Sequence, residues 1–295
     1  MLLIVGTIPE ADFPLVEGRA ELAEGRLRVA QREIPVNRGT AALVAAAVQT
    51  LTYGNQPPPC ACLAGDLGTG EGSRRVYEYL AQTLADRKFG AICFHYLQPE
   101  VDWHNRVWFA IQTMNPRPLL IADAGFMYVA KMSGQAPEYD LFTPDAGELA
   151  FLADETAPHP FYTRGFILHQ DNQVPDLITR AYDHQNASRY LLVKGKTDYL
   201  ADSQGVLATV AEPRVEALEA IGGTGDTLTG IAAALAAGGQ VPAAAALQAA
   251  KANRVAGFLA QPTPATQVGE IIDYIPQALA EVLVPATPFC GGLRR

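Results

Sequence analysis

Short apolar runs recur along the chain and alternate with longer segments of helical character. "LLIVG" near the N-terminus, "CACLAG" (60–65), "AICFHYL" (91–97), "PLLIADAG" (118–125), "DLFTP" (140–144) and "RYLLVKG" (189–195) each read as a strand. Between them lie helical stretches such as "TAALVAAAVQTL" (40–51), "RRVYEYLAQTLADRK" (74–88), "NRVWFAIQTM" (105–114) and "AGELAFLADE" (146–155). "TDYLAD" and "GVLATVA" read as a hairpin after the sixth strand, and helices follow from Thr227 to Ala237, Pro242 to Ala260 and Ile271 to Val284. Strands separated by helices of roughly 10 to 15 residues indicate βαβ units and a parallel sheet. Several strands are apolar throughout rather than alternating, which fits a sheet covered on both faces.

No linker divides the 295 residues, so they read as one α/β domain. The segment 154–186 breaks the rhythm with Pro158, Pro160, Pro175 and three histidines. It reads as an insertion with one helix near "VPDLITRAYDH".

Composition narrows the class of partner. Hydrophobic residues make up 49% and charged residues 18%, enough for a large core and unlike a disordered chain. The net charge of -9 argues against nucleic acid, whose phosphates are bound by surplus Lys and Arg. No run of 18 or more apolar residues suggests a membrane span, and the start "MLLIVGTIPE" does not read as a secretion signal. Cys60, Cys62, Cys93 and Cys290 form no Cys-x-x-Cys pair, and few cysteines suit a reducing compartment, so a cytoplasmic location is expected. The histidines show no metal-ligand spacing of the His-x-x-x-His kind, so a structural zinc is not expected.

The chemistry concentrates in "AIGGTGDTLTGIAAALAAGG" (220–239). A helix begins near Thr224, and its first N–H groups lack intrahelical partners and carry the positive end of the dipole. Gly222, Gly223 and Gly225 let those amides approach an anion closely. Asp226 is either a helix cap or a working group. A carboxylate beside a phosphate is repulsive unless it accepts a proton there, which suits a base that activates a hydroxyl for phosphoryl transfer. Neither the Walker pattern nor Gly-x-Gly-x-x-Gly is present.

"GGTGDTLTG" resembles the anion-hole signature of the ribokinase-like superfamily, where Gly-x-Gly-Asp opens a helix and the Asp is the catalytic base. Together with "FTPDAGEL" (142–149) and "LLVKGKTDYLADSQG" (191–205), it looks most like the ATP- or ADP-dependent NAD(P)H-hydrate dehydratases. Asp145 stands where that family's strand-end motif carries His. The resemblance implies a three-layer fold with a central, mostly parallel sheet, and an enzyme using ATP or ADP with Mg²⁺. It places Asp226 as the base, Gly222, Gly223, Thr224 and Gly225 in the anion hole, and Thr143, Lys194 and Gly195 beside the nucleotide phosphates. Glu148, with Asp145, would hold the metal. "VNRGTAALVAAAVQTL" and "AGDLGTGEGSRR" resemble, more loosely, the substrate ends of sugar kinases, which makes Asn37, Arg38, Gly39 and Asp66 acceptor-side candidates. Asp123, ending a strand, joins them. The acceptor is expected to be a small molecule with a hydroxyl, and a homo-oligomer is compatible with this. A small-molecule kinase and a nucleotide-binding regulator without catalysis are the two other readings.

Overall fold

The computed structural model describes residues 1–154 and 173–283. Among the described residues, eleven strands form one sheet in the order β11-β10-β9-β8-β7-β6-β1-β5-β2-β3-β4. Its centre is parallel: β9 (Tyr190–Val193), β8 (Leu141–Phe142), β7 (Leu119–Ala122), β6 (Ala91–His95), β1 (Leu2–Ile8) and β5 (Cys60–Gly65). β10 (Asp198–Asp202) and β11 (Gly205–Val210) extend one side as the expected hairpin.

On the other side, β2 (Val16–Ala23), β3 (Arg26–Val29) and β4 (Arg32–Pro35) add an antiparallel meander that the apolar pattern did not announce. These strands carry charged residues at most outward positions. Only Ala20, Leu27, Val29 and Ile34 turn fully inward, so no continuous apolar run marks them.

The central strands are buried on both faces, as parallel strands between helical layers must be. In β1, Leu2 and Ile4 point into one core while Leu3 and Val5 point into the other. The first core is closed by α1 (Thr40–Tyr53), α7 (Thr224–Ala237), α8 (Pro242–Leu259), α9 (Val268–Ile272) and α10 (Ile275–Val282). The second is closed by α2 (Glu71–Thr83), α3 (Val101–Gln112), α4 (Gly125–Met132), α5 (Ala146–Ala153) and α6 (Val174–Asp183). The single helix expected from Ile271 to Val284 is two, because Pro276 starts a new helix at its first turn.

Gly230 lies where α7 crosses α1. A Cβ there would stand 2.2 Å from the Leu43 carbonyl oxygen, so glycine sets the closeness of the two helices. This glycine serves packing and takes no part in an anion cradle.

The stretch read as an insertion is described only at its ends, since residues 155–172 lie outside the described ones. Its C-terminal end carries the helix expected near "VPDLITRAYDH". Val174, Leu177, Ile178 and Ala181 of α6 are buried in the second core beside α5, so this helix belongs to the layer itself.

Candidate active site

The carboxyl ends of β1, β5, β6, β7 and β9 open onto one crevice, the place where open α/β sheets bind ligands. Two cavities fill it. One, of about 490 Å³, is lined by Arg38, Gly39, Asp66, Ser73 and Gln98 among others. The other, of about 540 Å³, is lined by Glu148, Lys194, Thr224, Gly225, Asn253 and Arg254 among others. Tyr96, Gly223 and Asp226 line both. Asp226 therefore stands at the junction, with one cavity on each side of its carboxylate.

The glycine turn forms the junction's floor. Gly223 caps α7 with φ 102°, a backbone conformation that only glycine adopts without strain. Gly222 and Gly225 differ. Neither has a positive φ, and an added Cβ would come no closer than 3.7 Å and 3.6 Å to protein atoms. The protein does not itself require glycine there. What a side chain would fill is the open mouth of the two cavities, beside the unpaired first N–H groups of α7. These residues fit an anion such as a nucleotide phosphate.

Asn253 holds that first turn in place. Its side-chain N–H donates to the Thr224 carbonyl at 3.0 Å and its oxygen accepts from the Thr227 hydroxyl at 2.7 Å. Asn253 and Arg254 are functional candidates that sequence reasoning missed. In the alanine-rich α8, Asn253 and Arg254, which reach the cavity, sit in its second half.

Asp226 is tightly held. The backbone N–H of Gly39 donates to Oδ2 at 2.7 Å, and His95 Nε2 lies 3.0 Å from Oδ1. Burial opposes its ionisation. The hydrogen bond and charge of His95, the Lys194 ammonium and the Gly39 amide outweigh burial and hold the carboxyl below the usual carboxylate range. His95 was not foreseen. Its one sequence signal is its place at the end of a parallel strand.

Lys194 lines the larger cavity, the one expected to face the nucleotide (the nucleotide-side cavity), with its ammonium 2.8 Å from each oxygen of Asp123. Burial alone would depress its pKa, but Asp123 and Glu148 overcome this and raise it, so Lys194 stays charged. Asp123 was expected on the acceptor side and is not there. It lines the nucleotide-side cavity, only 1% exposed, and accepts from Lys194, the Thr229 hydroxyl at 2.7 Å and the Ala124 N–H at 2.9 Å. Its carboxylate anchors the Lys194 ammonium.

Thr143 is likewise behind the cavity wall. It is fully buried and hydrogen-bonded to Thr229 at 2.9 Å, so it supports Asp123 rather than touching phosphate. Gly195 lines the cavity, but its N–H is engaged by Asp198 at 3.1 Å.

Asp145 and Glu148 form a capping box at the start of α5: each carboxylate accepts from the other residue's backbone N–H, at 2.7 and 2.8 Å. Each has a second oxygen outside this box, and both residues line the nucleotide-side cavity. Burial pushes the Glu148 carboxyl up, to about 8, against the pull of Lys194 and with the help of Asp123 and Asp145. Two carboxylate oxygens beside a phosphate cradle suit a hard cation that keeps several waters, so the residues fit Mg²⁺.

On the acceptor side, Arg38 and Gly39 line the cavity, while Asn37 is exposed and does not. Asp66 lines it, but its carboxylate is occupied by its own loop. It accepts from the N–H groups of Gly68, Gly70 and Ser73 and from the Ser73 hydroxyl at 2.8–3.1 Å, so its role is to shape the wall. These donors offset its burial and hold its carboxyl below the usual range.

A family model described as NAD(P)H-hydrate dehydratase matches residues 97–277. Over 242 residues, 82% of this chain and the whole of the relative, the sequence is 40% identical to an uncharacterized protein of Methanocaldococcus jannaschii. Over 139 residues, 47% of this chain and 43% of the relative, it is 31% identical to the ADP-dependent (S)-NAD(P)H-hydrate dehydratase of Cenarchaeum symbiosum. Among solved structures, a ribokinase-like superfamily protein from Enterococcus faecalis superposes with a TM-score of 0.57 at 14% identity, covering 95% of this chain and 87% of that one. The pyridoxal kinase of Staphylococcus aureus, in complex with AMP-PCP and pyridoxal, gives 0.53 at 15% identity over 85% of each chain. These structural likenesses establish the ribokinase-like fold. With the family match over most of its length, the chain belongs to the NAD(P)H-hydrate dehydratase family, as a dehydratase-like enzyme of the ribokinase fold that works with a nucleotide.

Proposed function

We propose that the protein repairs hydrated NADH or NADPH at the expense of ATP or ADP. The observation that carries this is the position of Asp226 between the two cavities, with a phosphate cradle on one side and room for an acceptor on the other. The acceptor hydroxyl gives its proton to the Asp226 carboxylate as its oxygen attacks the terminal phosphorus. The bond from phosphorus to the nucleotide breaks, and the shortened nucleotide leaves with that electron pair. The amides of the Gly223–Asp226 turn and the Lys194 ammonium face the charge on the transferred group. Phosphate then departs with the C–O electron pair and takes a proton from the adjacent ring carbon, whose C–H electrons restore the double bond. Mg²⁺, held through water by Glu148 and Asp145, would supply positive charge at the phosphates.

A second reading, transfer to a different hydroxyl with release of the phosphate ester, rests on one observation. The family match begins at residue 97, yet most acceptor-side residues, from Thr7 to Tyr96, precede it.

The test supplies hydrated NADH, Mg²⁺ and either ATP or ADP. Return of the NADH absorbance, with one phosphate released per ring restored, supports the first reading. Nucleotide turnover with small alcohols and none with the hydrate would replace it with the second. Nucleotide binding with no turnover under any condition would sink both.

A further inference from the structure

His95 ends β6 and is completely buried. Its ring joins two distant parts of the chain. Nδ1 lies 2.9 Å from the hydroxyl of Thr40, the first residue of α1, and Nε2 lies 3.0 Å from Asp226 Oδ1 in the first turn of α7. An ionised Asp226 can only accept, so Nε2 must carry a hydrogen. The Thr40 hydroxyl serves the other nitrogen: it donates to a neutral ring or accepts from a charged one. Either state leaves Thr40, His95 and Asp226 in one unbroken chain of hydrogen bonds.

The surroundings are built for this chain. Gly6 on β1 lies behind it, and a Cβ there would stand 2.5 Å from the His95 carbonyl oxygen and 2.7 Å from Thr40 Cγ2. Tyr96 lies edge-on to the imidazole at 4.1 Å between ring centres. The Tyr96 carbonyl accepts from the Thr7 hydroxyl at 2.6 Å, which ties down the backbone that follows His95.

We propose that His95 is a positioning residue of this active site: with Thr40 behind it, it fixes the orientation of Asp226 and keeps that carboxylate in its proton-accepting form. The proposal rests on the reading of Asp226 as the base. A carboxylate at a junction of two open cavities has rotamer freedom to lose, and the Gly39 amide alone restrains only one of its oxygens. The hydrogen bond from His95 restrains the other. Among the described residues, the other titratable or charged groups near this pair include Asp123 after β7, with Oδ2 3.9 Å from His95 Nε2, Lys194 after β9, Glu148 in the first turn of α5, the Tyr96 hydroxyl and Arg38, which lines a cavity with Asp226. These remain when His95 is replaced, so a change on its removal belongs to His95.

A purely structural histidine would predict lower stability and nothing more. The distinguishing experiment is a ¹³C NMR titration of Asp226 in the free protein labelled at the aspartate carboxyl carbons. It compares the parent with His95→Ala, His95→Gln and Thr40→Val. The expected result is an Asp226 midpoint that rises by about one pH unit or more in His95→Ala. His95→Gln, whose amide can still donate, recovers part of the difference, and Thr40→Val, which frees the far side of the ring, falls between parent and His95→Ala. Thr40→Val leaves His95 in place and decides the matter if neither His95 variant folds. In turnover with the hydrate, His95→Ala lowers kcat about 10²-fold while the nucleotide KM stays within about threefold. An Asp226 midpoint that is the same in every folded variant and the parent overturns the proposal. If the parent does not turn over the hydrate, the proposed function fails, and the titration still decides the role of His95.

Discussion

The ammonium of Lys194 is held 2.8 Å from both oxygens of Asp123, across 71 residues of sequence and between the ends of two sheet strands. Asp123 is 1% exposed and the Lys194 side chain 14%, so the pair is screened little by water. Breaking a buried pair leaves an uncompensated charge. Asp123→Ala is therefore expected to destabilise the fold by about 3–5 kcal/mol, read by urea denaturation. The double variant Asp123→Asn with Lys194→Met, which removes both charges, recovers part of that loss. Equal loss in the single and double variants would mean that the charge pairing is not what matters.

Gly225 is where a ligand-binding role for the glycine turn can be told from a structural one. The atoms nearest a Cβ there are Lys194 methylenes and the ammonium at 3.6–3.7 Å, and alanine favours the helix that begins at this point. Gly225→Ala should leave the melting temperature unchanged or slightly raised. Calorimetric titration should show nucleotide affinity reduced about tenfold or more, because the new methyl fills the phosphate mouth, a loss of about 1.4 kcal/mol. Unchanged affinity would remove the turn from the nucleotide site.

Metal binding should sense the proton on Glu148. Burial raises this carboxyl to about 8, so a proton competes with the cation as pH falls below that value. In the nucleotide complex, the apparent Mg²⁺ affinity is expected to weaken between pH 8.5 and 6, approaching about tenfold per unit at the acid end. Glu148→Gln should bind the metal more weakly and lose this dependence. A parent affinity flat across the range would place the metal elsewhere.

His104, which lines neither cavity, controls a different pH dependence. It is 1% exposed, with Nε2 2.9 Å from the Tyr139 hydroxyl and, among the described residues, no partner within hydrogen-bond distance of Nδ1. Burial lowers its pKa to about 4, against about 6.5 for an unfolded histidine. Between those values the unfolded chain binds a proton that the folded one rejects. Stability therefore falls as pH drops from about 6.5 towards about 4, by about 3 kcal/mol in all, and this contribution is flat above and below the window. Denaturation curves of the parent and of His104→Gln at pH 7 and pH 4.5 check this. The variant should show a smaller difference between the two.

The parallel core was legible because strands buried on both faces are apolar throughout, as in "CACLAG" and "AICFHYL". The glycine turn was legible because its residue types are chemically constrained over a few adjacent positions. The meander β2–β4 was not, since its strands are half-exposed and charged outward. Local reading also failed wherever a carboxylate's role depends on distant partners. Asp123 and Asp66 look alike in sequence, each following an apolar strand. One anchors Lys194 and the other is filled by its own loop. His95 gains its place from Thr40 and Asp226, 55 and 131 residues away, and nothing near it in sequence records that.

The central claim is that Asp226 takes the acceptor's proton. The most direct measurement pairs nucleotide binding with single-turnover phosphoryl transfer to hydrated NADH, for the parent and for Asp226→Asn. Asparagine keeps the size of the side chain and an oxygen that can still accept the Gly39 N–H. Nucleotide affinity is expected to equal or exceed the parent's, while transfer slows by about 10²–10⁴-fold. Transfer at the parental rate in Asp226→Asn would contradict the account.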